Sequence, residues 1–323
     1  MKLRFRTALC AALIVTGGAV LAPGAPAQNY PDRPVRVLVG LAPGGGTDSV
    51  ARILTAKLAD TFGQSFVVDN RPGAGGNVAG ELAARGTPDG HTLIIITPTH
   101  VINPSLYRNV VYDAIKDFAG VGQIVHAQYY LSVANTVPVT SVKELVALAK
   151  ARKPRLSYAS SGIGSANHLS GELFKTMAGI EMVHVPYKGG SPALTALISG
   201  EVQVSFTSGV AITHSKAGRL KTIAVTGARR TPLAPEVPTI REAGVAGYEV
   251  VGWYGIAAPA QTPKAIIDRL NAAMNRVLPE LRERYAALGM DLASGSAAEF
   301  DTLLRNERDK WAKVVKLSGA KVE

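Results

Sequence analysis

Residues 35–48 read VRVLVGLAPGGGTD, and the rest of the chain is organised around them. Val35, Val37, Leu38 and Val39 are β-branched or aliphatic, Pro43 and the glycines Gly44, Gly45 and Gly46 break the run, and a helical pattern starts at Thr47. Strand, glycine loop and helix N-terminus are therefore expected in that order. Glycine lets the backbone turn sharply and lets a ligand approach it, while the first helical turn offers unpaired N–H groups and a partial positive charge. An anion is the natural guest of such a corner.

Downstream, Val50, Ile53, Leu54 and Leu58 recur at helical spacing, which predicts an amphipathic helix from Thr47 to about Phe62. Residues 65–69 (SFVVD) read as a second strand, and 70–77 (NRPGAGGN) as another glycine loop with Asn77 capping a helix. That helix ends at 86–90 (GTPDG), and Leu93 to Ile96, apolar throughout, reads as a parallel strand buried on both faces. The alternation describes a doubly wound α/β half-domain. Ligands of such sheets bind beyond the carboxyl ends of the strands, so Thr97, Thr99 and His100, read as a loop after the third strand, become pocket candidates.

From Phe118 to Val133 the sequence is extended and crosses into a second unit, where the pattern restarts. Ser141 to Glu144 is a capping box, Leu156 to Ala159 a strand, 160–165 (SSGIGS) a small-residue loop, and Leu169, Leu173 and Met177 mark the helix it opens. Met182 to Tyr187 is a strand leading through Lys188 to a helix with Ser191 as cap and Pro192 at its first position. Val202 to Thr207 and Leu220 to Val225 are further strands. Residues 248–257 are extended again and return to the first unit, and two helices, the second opened by the box Ser296 to Glu299, close the chain. Two crossings predict two lobes, residues 28–127 with 251–323 and residues 128–250, joined by a hinge of extended segments that permits closure.

Composition fits that plan. The 323 residues are 47% hydrophobic, without low-complexity tracts. Residues 1–27 read as a secretory signal peptide: Lys2, Arg4 and Arg6, then an apolar stretch from Ala8 to Val20 too short to span a bilayer, then Ala25-Pro26-Ala27 as the cleavage site. Cleavage after Ala27 delivers the product to the periplasm and removes Cys10, the single cysteine, so no disulfide is expected. No other segment is apolar enough to cross a membrane. Of the eleven net positive charges, three leave with the leader, so the product carries +8. Its cations are scattered and aromatics are sparse, which speaks against nucleic acid as a partner.

Several chemistries fail on spacing. Gly40 to Gly46 lacks the lysine of a Walker A loop, and Gly73-Ala74-Gly75 and Gly162-Ile163-Gly164 lack the third glycine of a dinucleotide fingerprint. No G-x-S-x-G elbow occurs. Ser165 and His168 stand three apart at a helix start, but no orienting third residue is identifiable, so an N-cap and a polar first-turn residue are the simpler assignments. The six histidines show no zinc spacing, and neither metal nor cofactor is expected. Asp48 admits two roles: a first-turn acid favoured by the helix dipole, or a counter-charge for a ligand ammonium.

Seven segments in order, YPDRPVRVLV, APGGGTD, VVDNRPGAGG, INPSLY, SSGIGSANHLSGELF, VPYKGGSPALTALISGEVQVSF and GYEVVGWYGIAAPAQTP, carry a family resemblance along essentially the whole mature chain. The chain resembles the Bug-type (TctC-like) substrate-binding proteins of tripartite tricarboxylate transporters. The resemblance implies an α/β, two-lobed periplasmic-binding-protein architecture (type II-like, Venus flytrap), with two doubly wound sheets and a ligand between the lobes. It implies a monomer that is not an enzyme and that binds a di- or tricarboxylate, an acidic amino acid or an aromatic acid. Its partners would be the membrane subunits of such a transporter or a periplasmic sensor domain. The ligand set the resemblance implies is the loop Pro43, Gly44, Gly45, Gly46, Thr47 and Asp48, facing the loop of Ser161, Gly162, Gly164 and Ser165 with His168. Leu41 and Ala42 beside the first loop, Thr97, Thr99 and His100 after the third strand, and Tyr187, Lys188 and Thr207 after strands of the second unit are the further candidates for the cleft. Leu41 stands where many members have phenylalanine, and Pro98 interrupts their Asn-Gly pair, departures that bear on ligand identity. Charge-assisted hydrogen bonds contribute roughly 1.5–3 kcal/mol each, so about four reach the roughly −8 kcal/mol of micromolar binding before ordering costs. The rival classes are an exported hydrolase or transferase using the same cleft, and the ligand-binding half of a regulator.

Overall fold

The computed structural model describes residues 29–151 and 154–318; the expected signal peptide and Cys10 lie outside the described residues. Strand β1 (Val35–Val39), helix α1 (Gly46–Phe62), β2 (Phe66–Asn70), α2 (Asn77–Ala84) and β3 (Thr92–Ile96) follow the expected alternation. The segment after β3 departs from expectation: it is a helix, α3 (Pro98–Leu106), with Thr97 at its N-cap. Pro98 occupies its first turn, where the missing N–H costs nothing. The extended crossover becomes β4 (Phe118–Gln128) and β5 (Tyr130–Val133), followed by α4 (Val142–Ala151), β6 (Leu156–Ser160), α5 (Ala166–Ala178) and β7 (Met182–Pro186). Helix α6 (Gly190–Ser199) starts before the expected Ser191 cap, with Gly189 at the N-cap. Then come β8 (Val204–Thr207), α7 (Val210–Lys216), β9 (Lys221–Val225), β10 (Val251–Pro259), α8 (Lys264–Val277), α9 (Arg282–Ala286), β11 (Met290–Leu292) and α10 (Ala297–Ser318).

The strands form two sheets, ordered β11-β4-β10-β3-β1-β2 and β7-β6-β8-β5-β9. Both are mixed rather than wholly parallel. Strands β1, β2 and β3 pair in parallel through helical crossovers, but β10, returning from the second lobe, lies antiparallel against β3 and β4. In the second sheet β6 runs parallel to β7 and β8, and β5 enters antiparallel to β8 and β9.

Strands β1 and β3 bury both faces. Val35, Val37, Val39, Leu93 and Ile95 pack with α1 and α8, while Leu38, Ile94 and Ile96 face a core continuous with that of the second lobe. Thr226 pins the two crossover strands together. Its hydroxyl accepts from Tyr129 N at 2.9 Å and donates to Val250 O at 2.7 Å, and its own N–H and C=O bond the same two residues. Helix α10 packs on both α3 and α5, so it too links the lobes.

Candidate functional site

Between the sheets lies a cleft of about 450 Å³, within the range of small-molecule sites. On the first lobe its wall is the backbone from Leu41 to Thr47. Gly45, extended at φ −84°, is the N-cap of α1, and no side chain caps that helix. The first-turn N–H groups are thus left for a ligand. Asp48 stabilises the loop from behind: Oδ2 accepts from Gly44 N at 3.0 Å and Arg52 Nε at 2.9 Å, and Oδ1 accepts from Asn70 Nδ2 at 3.0 Å. Burial alone would raise the Asp48 carboxyl, but these bonds outweigh it and hold it below the usual carboxylate range. Thr47, hydrogen-bonded to Tyr254, closes this side. Burial pushes the Tyr254 phenol up to about 12, so it remains a hydroxyl donor at neutral pH.

The second lobe contributes Ser161, Ser165 and Asn167 from the β6–α5 corner. Ser165 caps α5, its Oγ accepting from His168 N at 3.3 Å and donating to Gly162 O at 2.6 Å. Ser161 Oγ donates to Asn167 Oδ1 at 2.9 Å, which leaves the Asn167 amide nitrogen as the donor end. Lys188 and the start of α6, which no side chain caps, form a second anion-favouring corner. Ser205, Thr207 and Ser208 add hydroxyls from β8 and the turn after it. Among the described residues that line the cleft there is no aspartate or glutamate; the basic ones are Lys188 and His214.

Of the expected ligand residues, the structure brings together Leu41 to Thr47, Thr97, Thr99, Ser161, Ser165, Lys188 and Thr207. Six others sit elsewhere. Asp48 is sealed behind its loop, 4% exposed. His100 packs against Tyr112 and Phe118 with Nε2 3.1 Å from Ala114 O, and lines instead a separate pocket of about 30 Å³, water-sized. His168 Nδ1 accepts the Gly164 N–H at 3.1 Å, so both residues face inward. The Gly162 carbonyl is held by the hydroxyls of Ser160 and Ser165. The Tyr187 hydroxyl donates to Glu201 at 2.7 Å. The Ser165 hydroxyl has no imidazole to activate it, because its bonds go to Gly162 and the His168 backbone.

Sequence reasoning missed Tyr129, Asn167, Ser205, Ser208, His214, Tyr254 and Met290, all on the cleft wall. Tyr129 and Tyr254 lie in the two crossovers that the sequence did reveal, and Asn167 lies inside the SSGIGSANH segment. A crossover running between two lobes must present side chains to the space between them, and that was the available signal.

Two α/β lobes, joined by paired extended segments and closing loop-and-helix corners on one cleft, define a periplasmic-binding-protein fold. The family described as tripartite tricarboxylate transporter family receptor matches residues 50–320, and the chain belongs to that family. It is similar to a solved R. palustris protein with adipate, at 39% identity and TM-score 0.87, over 91% of this chain and 100% of that one. It also resembles MatC from Rhodopseudomonas palustris with bound malate, at 33% identity and TM-score 0.83, over 88% of this chain and 100% of that one. The protein BugT of Bordetella pertussis is 32% identical over 302 residues, 92% of this chain and 93% of BugT's own length.

Proposed function

We propose that this protein is a periplasmic solute receptor that binds a small organic carboxylate in the cleft and hands it to the membrane subunits of a tripartite transporter or to a sensor. One observation carries the reading: two helix N-termini without side-chain caps, α1 and α6, meet a ring of hydroxyls in a cleft wall without acids. Such a site neutralises a carboxylate chiefly with oriented backbone N–H groups, since the protons of Ser161, Ser165, Ser205 and Thr207 are donated within the fold. The adipate and malate bound to the two similar R. palustris proteins support the ligand class. The same reading divides the chain into residues 28–127 with 251–323 and residues 128–250; β4 ending at Gln128 and β10 beginning at Val251 support that division. Secretion through cleavage after Ala27 belongs to the same proposal.

Native mass spectrometry of gently purified protein, followed by a thermal-shift panel of adipate, malate, succinate, citrate, glutamate and benzoate, tests it. At least one carboxylate should raise the melting temperature in a concentration-dependent way. If none does, the ligand class is wrong. Turnover of a carboxylate ester or amide that Ser165→Ala abolishes would replace the receptor by an enzyme.

A further inference from the structure

Behind the loop that carries Ser161 and Ser165 lies a stack of rings outside the cleft wall. His168, on α5 and 4% exposed, stacks on His184 of β7 with ring centroids 4.0 Å apart at 26°, and Tyr158 of β6 stacks on His184 at 4.9 Å. The two imidazoles grip the loop at two points. His168 Nδ1 accepts the Gly164 N–H at 3.1 Å. His184 Nε2 stands 2.6 Å from Ser160 Oγ, which in turn bonds Gly162 N at 3.1 Å and Gly162 O at 3.0 Å. Between these points Ile163 O accepts from the Tyr107 hydroxyl at 3.4 Å, beyond the end of α3 in the other lobe. A Cβ on Gly164, at φ +80°, would come within 2.7 Å of Leu106 Cδ1, so the two lobes already touch here.

The 161–165 segment therefore has three faces: Ser161 and Ser165 on the cleft wall, a carbonyl toward the other lobe, and anchors toward the stack. We infer that His168 and His184 are positioning residues that, as a neutral stacked pair, hold this loop so that one rigid segment makes both the ligand contact and the contact between lobes. The inference rests on the carboxylate-receptor reading of the cleft. Neutrality follows from the geometry. A proton on His168 Nδ1 would set a donor against the Gly164 N–H, and two imidazolium rings 4.0 Å apart would repel. The charged and titratable groups around the pair are Tyr158, whose hydroxyl donates to Glu172 at 2.5 Å, Glu172 itself, and Lys175, bonded to Glu172 at 2.8 Å. Burial, reinforced by Lys175, lowers His168 to about 4; burial, reinforced by His168 and Lys175, lowers His184 to about 3.

The mature chain tests this with His168→Phe, which keeps an aromatic ring but removes the acceptor, and His168→Asn, which restores an acceptor near the Nδ1 position. In the ligand-free protein, amide exchange at Gly164 should accelerate at least about tenfold in His168→Phe and stay near wild type in His168→Asn. Calorimetry with whichever of adipate, malate or succinate binds the wild type best should show at least about fivefold weaker binding for His168→Phe and substantial recovery for His168→Asn, roughly the loss of one hydrogen bond. Wild-type exchange and affinity in His168→Phe, or equal losses in both variants, would overturn the inference. Imidazole nitrogen shifts of the wild type give a measurement independent of variant folding: the Nε2–H tautomer of His168 should persist at pH 6, and an Nδ1–H tautomer or imidazolium there would overturn it. If the wild type binds no carboxylate while the exchange pattern appears as stated, the receptor reading fails and the positioning role stands.

Discussion

Both oxygens of Asp48 are engaged, by Gly44 of the loop, Arg52 of α1 and Asn70 at the end of β2, and the residue is buried behind the cleft wall, so it does not face a ligand ammonium. Asp48→Asn removes the charge behind these bonds. Because Arg52 is 55% exposed, its ion pair is screened, and the expected loss of stability is only about 1–2 kcal/mol. The slackened loop should weaken ligands with and without an ammonium alike, which calorimetry with glutamate and a matching diacid would check. The buried histidines set the acid limb. His100, His168 and His184 are pushed down to about 4, 4 and 3, burial being the main cause each time, against 6.5 when unfolded. The unfolded chain therefore binds more protons, and stability should fall as pH drops from about 6.5 toward 4. Asp48, Asp69 and Asp89, held below 3.8, keep their contribution until pH falls further still. Melting temperatures between pH 8 and 4 should begin to decline in the histidine range, and replacing His100 with phenylalanine should make the decline shallower.

At the scale of elements, the corner from β8 into α7 tolerates no added atom. A Cβ on Gly209 would stand 2.2 Å from Leu288 O and 2.8 Å from Gly289 Cα, both backbone. Gly209→Ala must push apart segments that flank the cleft through Ser208 and Leu288, at about 1–3 kcal/mol. Chemical denaturation should show that loss, together with weaker binding of the best carboxylate. What was legible in the sequence follows the same locality. The β1–α1 and β6–α5 corners were readable because strand, glycine loop and helical period are adjacent in sequence. Helix α3 was not, because a segment with two prolines in seven residues lacks the usual helical signal, although Pro98 begins the helix and Pro104 falls near its end. Strand β11 has three residues, too few for any period, and exists only because β4 offers it an edge. The inward turn of His100 and His168 depends on Ala114 and Gly164 as partners, and the placing of Tyr254 at the cleft depends on β10 returning beside β3.

At the scale of the whole molecule, the β4–β5 link, the β9–β10 link and helix α10 span the lobes among the described residues. Thr226 ties the first two together, and Glu307 ties the third to them. Glu307 Oε2 accepts from Trp253 Nε1 of β10 at 3.0 Å and from Trp311 Nε1 of α10 at 2.8 Å, so both tryptophans of the chain bond one carboxylate that is 8% exposed. Removing it leaves two buried indole N–H groups without their acceptor, and an unsatisfied buried donor costs about 1–3 kcal/mol. Glu307→Ala should therefore destabilise the protein by about 2–4 kcal/mol, since the two penalties partly overlap where water enters. The loss should be accompanied by a shift in tryptophan emission, because no other residue of the chain contributes an indole. Helix α10 packs on α3 in one lobe and α5 in the other, so loosening it should also let the lobes separate. Small-angle scattering of Glu307→Ala should then show a larger radius of gyration than wild type without ligand, and the difference should narrow when the best carboxylate is added. An unchanged radius with the full stability loss would mean that Glu307 braces α10 without governing how the lobes meet.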